Sequence, residues 1–243
     1  MPFEKTLEAV DKLHKAGKFK RLGLSNYAAF EVAEIAMTCA HRGFVRPTIY
    51  QAIYNCLFRH IEEELIPACR RYGISIDAYS PIGGGFLSGA ITSTDADPRE
   101  GRFAKSPMQH FTRGKYFRDG VVEGARIIRE AAEEVGIPPL EAAMRWIVHH
   151  SALRVRGEGK KGKGDDDDDD ERDGIVIGFS SLVQLKENLD SLEKGPLPES
   201  LLQAIDRAWR ASKADADTYW QLPMVYTYDT QKALFGGKSW NML

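Results

Sequence analysis

Strand-like and helix-like segments alternate along this chain, and this alternation limits the possible fold more than any other feature. Apolar and β-branched segments predict strands over residues 19–24, 48–54, 75–79 and 174–179. Apolar residues at helical spacing predict helices over residues 3–16, 28–42, 61–72, 121–135, 139–150, 181–193 and 198–211. Short connections between such elements favour parallel pairing, so the sequence predicts an α/β protein with four parallel strands in a sheet or barrel.

Three segments interrupt this alternation within the single predicted domain, residues 1–243. Residues 80–120 form a connection rich in Gly, Pro and Ser, and its length indicates a functional loop. Residues 156–173 contain no apolar side chain and predict a disordered acidic insertion, because such a run cannot bury enough surface to offset the cost of ordering. Residues 212–243 form an aromatic C-terminal tail, for which packing on the domain is the simpler interpretation.

Charge and cysteine content narrow the classes of function. The net charge is −2, and residues 154–173 alone contribute −3, so the net charge of the rest of the chain is +1. This remainder has no stripe of basic residues of the kind that nucleic-acid binding needs. No apolar run is long enough to span a bilayer. The three cysteines are scattered, as expected of buried thiols in a reducing compartment. We therefore expect a cytoplasmic protein that binds neither nucleic acid nor membrane.

Polar residues follow or end all four predicted strands. They are Ser25 and Asn26, Gln51, the run Tyr79-Ser80-Pro81, and Ser180 with Ser181. Such residues could simply cap the following helices, or they could face a ligand. Because the carboxyl ends of parallel strands share one edge, we expect these residues to converge on one site. Their amides suit a ligand carboxamide, and the aromatic ring suits stacking on a flat ligand ring.

Two further patterns adjoin these strand ends. Residues 80–89, SPIGGGFLSG, form a glycine-rich loop whose N–H groups could approach phosphate oxygens, although such a loop is usually only mobile. Gln184, Glu187 and Asn188 share one face of the helix that begins near Ser181, where the helix N-terminus favours a phosphate. A serine cap followed by a solvated face is the alternative interpretation of this helix.

The segments GLSNY, AYSPIGGGFLSG and GFSSLVQLKENL, with a GRF at Gly101–Phe103, resemble the aldo-keto reductases in order along nearly the whole chain, most of all the aflatoxin-aldehyde reductase branch and its fungal members. The resemblance implies a (β/α)₈ barrel that uses NADPH/NADP⁺ to reduce aldehydes or ketones to alcohols. It also implies a set of cofactor-binding residues: Ser25, Asn26, Gln51, Tyr79, Ser80, Pro81, Gly83, Gly84, Gly85, Leu87, Gly89, Arg102, Ser180, Ser181, Gln184, Glu187 and Asn188.

The chain matches only the C-terminal half of that barrel, and we assign it no catalytic residue. Nine tyrosines are present, but none stands in the sequence context of the family's proton donor. No HExxH or paired-cysteine spacing indicates a metal site. Two hypotheses remain: an NADPH-dependent reductase completed by further sequence, and a catalytically inactive half-barrel that binds a dinucleotide or a protein partner. Two half-barrels could also pair as a homodimer.

Overall fold

The structure, a computed structural model, describes residues 1–89, 91–99, 101–104, 109–155, 172–221 and 223–236. The strands within these ranges are β1 (Leu22–Leu24), β2 (Pro47–Ile53), β3 (Ser75–Tyr79) and β4 (Gly174–Val176). The helices within them are α1 (Phe3–Lys15), α2 (Ala29–Arg42), α3 (Leu65–Arg71), α4 (Gln109–Tyr116), α5 (Asp119–Glu134), α6 (Pro139–His149), α7 (Leu182–Glu193), α8 (Glu199–Ser212) and α9 (Thr230–Phe235).

The four strands form one open sheet in the order β1-β2-β3-β4, and every neighbouring pair is parallel. This confirms the predicted α/β class with four parallel strands of the (β/α)₈ barrel type, although the sheet does not close. β1 and β4 are therefore the two edges of the sheet in the part of the chain that the structure describes.

The two faces of the sheet differ in burial. Tyr50, Ala52 and Ile76 point to one face and are fully or almost fully buried, in an apolar cluster that also contains side chains of α2 and α3. On the other face Gln51 is exposed and Val176 is 41% exposed. Because side chains alternate along a strand, these strands combine a helix-covered face with an open one.

Both edge strands are shorter than the sequence pattern predicted. β1 begins at Leu22 rather than at residue 19, and the Phe19 ring instead packs beside His14, with 5.2 Å between ring centroids. β4 ends at Val176 because that residue pairs with Tyr79, the last residue of β3. Phe179, predicted in the strand, lies beyond it and is 51% exposed.

The predicted helix over residues 61–72 is divided into a 3₁₀ turn at His60–Glu62 and the α-helix α3. The predicted 80–120 connection also contains secondary structure, namely a 3₁₀ segment at Gly83–Ser88 and α4. No helix in the described part of the chain is both long enough and apolar enough to cross a membrane.

Asp173 corrects the predicted boundary of the acidic insertion. Its carboxylate is fully shielded from solvent and accepts hydrogen bonds from the Arg70 guanidinium, from Ile76 N (2.8 Å) and from Arg154 N (2.6 Å). The residue therefore fastens α3, β3 and the chain before the insertion to the start of β4. Residues 156–171 of the predicted insertion lie outside the described residues.

Candidate functional site

The register of the sheet brings Gln51 and Tyr79 to one face. Gln51 pairs with Asp77, and two residues further along Ile53 pairs with Tyr79. Since residues two apart point the same way, Gln51 and Tyr79 lie on the open face, near the carboxyl edge of the sheet. Gln51 is exposed and Tyr79 is half-buried, so both side chains are accessible from this face.

The Ser25-Asn26 turn after β1 does not cap α2. The cap residue is Ala28, whose N–H donates to the Glu31 carboxylate at 2.7 Å. Asn26 is exposed and has a φ of 64°, in the left-handed region that non-glycine residues rarely adopt. The Tyr50 hydroxyl holds this turn, because it accepts from Tyr27 N (3.0 Å) and donates to Tyr27 O (2.7 Å). The capping interpretation of Ser25 and Asn26 is therefore wrong, and Asn26 stays exposed to solvent.

The glycine-rich loop is firmly anchored where it leaves β3. The Ser80 carbonyl accepts from Asn55 Nδ2 and from Gly83 N, each at 2.9 Å, and Ser80 itself has a φ of 58°. Pro81 and Leu87 are buried, so their side chains belong to the core and would meet a ligand only through the backbone. The loop glycines with positive φ are Gly83, Gly84, Gly85 and Gly89.

Side chains from the following segment enclose this loop. A Cβ atom on Gly84 would lie 2.9 Å from Cδ of Arg102, and one on Gly83 would lie 3.2 Å from Cε1 of Tyr116. Arg102 is exposed, whereas Tyr116 is buried among Phe58, Phe86 and Phe103. The structure thus places the predicted Arg102 directly against the predicted glycine loop.

Two residues that the sequence did not single out, Gln221 and Lys115, form a hydrogen-bonded chain to Tyr79. The Gln221 side-chain amide donates to the Tyr79 hydroxyl, and its oxygen accepts from Lys115 Nζ at 2.8 Å. Burial raises the pKa of Tyr79 and lowers the pKa of Lys115. Gln221 has a φ of 62°, which no sequence pattern indicates, and it comes from the tail far along the chain.

Ser181 caps the start of α7, as in the alternative interpretation of this segment. Ser181 Oγ accepts from Gln184 N at 3.3 Å, and Gln184 Oε1 accepts from Ser180 N at 2.8 Å. Asn188 is buried, whereas Glu187 and Gln184 are exposed. In the described residues no hydrogen bond joins this group to the glycine-rich loop, so the structure leaves the two predicted parts of the site separate.

Seven of the described tyrosines have pKa values shifted away from neutral pH, which does not suit a proton donor. Burial is the largest of the effects that raise the pKa of Tyr50, Tyr54, Tyr79, Tyr116, Tyr219, Tyr226 and Tyr228. A lysine beside a tyrosine hydroxyl would act in the opposite direction. Within the described ranges no group of three or more His, Cys, Asp or Glu side chains could hold a metal ion.

Comparison with known proteins supports one family. The model of the aldo/keto reductase family matches residues 1–210. An aldo-keto reductase of Pseudocercospora fijiensis is 42% identical over 219 residues, which cover 90% of this chain and 69% of that protein. Aflatoxin B1 aldehyde reductase member 2 of Mus musculus is 36% identical over 226 residues, 90% of this chain and 58% of its own length. Member 4 of Homo sapiens is 37% identical over 224 residues, again 90% of this chain, and 63% of its own length. The chain thus spans 58–69% of the length of these three relatives.

Proposed function

Because the chain belongs to the aldo/keto reductase family, we propose that it binds NADPH and takes part in the reduction of an aldehyde or ketone to an alcohol. The observation that carries this proposal is the glycine-rich loop with Arg102 packed against Gly84, beside Tyr79 at the carboxyl edge of a parallel sheet. Ligands of α/β folds bind at this edge. NADPH, when bound, supplies the hydride for the reduction.

The exposed residues fit the parts of such a cofactor. Asn26 and Gln51 carry amides that both donate and accept, which suits the carboxamide of nicotinamide, with Ser25 beside them. The Tyr79 ring can stack on the nicotinamide. The positive-φ glycines let the loop backbone approach a diphosphate, and Arg102 supplies a cation beside it.

The start of α7 would hold the adenosine end. The N-terminus of a twelve-residue helix carries partial positive charge, which favours a phosphate group. Ser180, Ser181 and Gln184 already satisfy part of this terminus, so the adenosine phosphate would exchange hydrogen bonds with them. Glu187 and Asn188, one turn further, would lie towards the adenine.

A second candidate function is dinucleotide binding without catalysis. The open sheet and the raised pKa values of seven of the nine described tyrosines favour it, because neither feature provides an enclosed site with a proton donor. The two candidates share the cofactor site and differ only in turnover. A binding experiment therefore tests what they have in common.

Titration of the purified chain with NADPH and NADH, followed by nucleotide fluorescence, tests the cofactor proposal. We expect saturable binding of both, with NADPH at least about 10-fold tighter because of its additional phosphate. Gly84→Ala should weaken NADPH binding, since its Cβ would lie 2.9 Å from Cδ of Arg102 and would displace that side chain from the loop. Absence of binding by the wild-type chain would overturn the proposal.

A further inference from the structure

A cavity of about 210 Å³ lies between the first turns of α1 and α2 and the tail segment 223–228. Of the predicted cofactor residues, only Asn26 contributes to its wall. The family match ends at residue 210, so the tail segment that closes the cavity lies outside the matched region. The opposite wall, with Phe3, Asn26, Tyr27 and Glu31, lies within the matched region.

Aromatic rings form its walls, each nearly perpendicular to its neighbour. Phe3 and Tyr27 meet at 83° with 5.6 Å between ring centroids, and Phe3 and Tyr226 meet at 77° with 6.5 Å. Tyr226 and Tyr228 meet at 75° with 5.9 Å. All four residues line the cavity, and none of them is fully buried. Perpendicular rings around a void resemble the aromatic cages that hold alkylated ammonium groups, because each ring face carries negative charge density.

A carboxylate on the same wall has no cationic partner. Glu31 is only 6% exposed, and its two oxygens accept from Ala28 N (2.7 Å) and from the Tyr226 hydroxyl (2.5 Å). In the described ranges no Lys or Arg side chain forms an ion pair with Glu31 or with Glu34, one turn along α2. A buried carboxylate normally has a charged partner, so Glu31 favours a positively charged guest.

A second carboxylate lies one turn along α2, where burial and then the charge of Glu31 raise the pKa of Glu34. The amino group of Met1 lies at the rim, where it donates to the Thr227 hydroxyl at 3.2 Å rather than to Glu31.

We propose that this cavity binds a small organic cation, a quaternary or alkylated ammonium group, between the rings of Phe3, Tyr27 and Tyr226 and beside Glu31. The rings attract the cation through their faces, and the carboxylate supplies the opposite charge. A divalent metal ion would need six or more oxygen ligands, whereas the eleven residues that line this cavity include one carboxylate and four aromatic rings. A neutral apolar guest would leave the Glu31 carboxylate with only its two hydrogen bonds, from Ala28 N and the Tyr226 hydroxyl, at the N-terminus of α2. The proposal does not depend on nucleotide binding.

Calorimetric titration with choline and with its neutral isostere 3,3-dimethyl-1-butanol, at constant ionic strength, tests this proposal. We expect saturable binding of choline and at least about 10-fold weaker binding of the alcohol, because only choline carries the charge. Equal affinities would show an apolar crevice and overturn the proposal. Absence of saturable choline binding would overturn it as well.

Two pairs of variants test separate contributions to choline binding. One pair distinguishes the Tyr226 ring from its hydroxyl, and the other distinguishes the charge of Glu31 from the net charge of the protein. Tyr226→Leu should weaken choline binding about 5-fold or more, whereas Tyr226→Phe, which keeps the ring, should stay within about 3-fold of wild type. Glu31→Gln should weaken binding, whereas Glu133→Gln, the same charge change at an exposed position of α5, should not.

Circular dichroism establishes which of these variants are folded, and each comparison uses folded variants only. If Tyr226→Leu does not fold, the two Glu→Gln variants still decide the outcome. Unchanged choline affinity in folded Glu31→Gln would contradict the proposed site.

Discussion

Three non-glycine residues in the described part of the chain have positive φ, and all three adjoin the candidate site. Asn26 follows β1, Ser80 follows β3, and Gln221 contacts the Tyr79 hydroxyl. Backbone of this kind costs on the order of 1–3 kcal/mol per residue and persists only where its surroundings hold it. Hydrogen bonds of Tyr50 to the backbone of Tyr27, next to Asn26, and of Asn55 Nδ2 to the Ser80 carbonyl provide that support. The strain therefore coincides with the edge proposed to bind the cofactor.

At the residue scale, Gln51→Ala should weaken nicotinamide binding more than it weakens binding of an adenosine fragment. A lost amide leaves the bound carboxamide unpaired, at a cost of about 1–3 kcal/mol. Because Gln51 is exposed on the open face, the substitution should leave the fold intact. Fluorescence titration with NADPH and with the adenosine fragment measures both effects, and equal weakening would place Gln51 outside the nicotinamide site.

Tyr116→Phe should stabilise the protein. The Tyr116 hydroxyl is buried near Ser80 and Asn55 without a hydrogen bond of good geometry, while its ring packs against Phe58 and Phe86. Replacing an unsatisfied buried hydroxyl with hydrogen removes a desolvation cost of about 1–3 kcal/mol, so the Tm should rise by about 2 °C or more.

Tyr50→Phe is the matched control for this change. It removes a buried hydroxyl that does bond, to the backbone of Tyr27, and should lower the Tm. Thermal unfolding followed by circular dichroism measures both variants. A decrease in Tm for Tyr116→Phe would show that its hydroxyl has a partner in solution.

At the scale of elements, the attachment of β4 to the sheet depends on the carboxylate of Asp173. β4 is a three-residue edge strand whose residues are partly exposed, so apolar burial alone holds it weakly. Asp173, immediately before it, accepts hydrogen bonds from Arg70, Ile76 N and Arg154 N. The buried ion pair connects α3 to the strand and fixes where the chain returns to the sheet.

The stability of the protein should therefore depend on Asp173 and hardly at all on the insertion that precedes it. Replacement of residues 157–171 by a short Gly-Ser linker should leave the Tm nearly unchanged, because loop length contributes little to closure entropy. Asp173→Asn leaves the Arg70 charge buried without its partner and should lower the free energy of unfolding by about 3–5 kcal/mol. Urea unfolding measures both, and a large loss in the linker variant would show that residues 157–171 make structural contacts.

At the scale of the whole molecule, the sheet of the described residues has two unpaired edges and one face that is only partly covered. Four parallel strands cannot close a barrel, so Gln51 on that face is exposed to solvent, whereas Tyr79 contacts Gln221 of the tail. Hydride transfer to a carbonyl forms an alkoxide, which needs a nearby donor. Burial raises the pKa values of seven of the described tyrosines, and in the described residues no tyrosine hydroxyl bonds to a lysine.

The 243 residues by themselves should therefore bind NADPH without reducing aldehydes. Loss of general acid catalysis alone costs a factor of roughly 10² to 10⁴ in rate. NADPH oxidation with 4-nitrobenzaldehyde should be detectable only when the chain is extended with the amino-terminal half of a relative's barrel. Substantial turnover by the 243 residues alone would show that a proton donor lies within them and would contradict this prediction.

The sequence by itself determined the order of the four strands and of seven helices, and the parallel class of the sheet, because side-chain periodicity and turn residues act over a few neighbours; it did not predict α4 or α9. It also predicted the glycine-rich loop and Arg102, which the structure brings together. Only the tertiary structure decided the ends of β1 and β4, which depend on how far a neighbouring strand runs. The burial of Asp173 and the Lys115–Gln221–Tyr79 hydrogen bonds were likewise decided by the fold, because their partners lie about 100 residues or more apart along the chain. Contacts between distant segments form only once the chain has folded, and no local pattern encodes them.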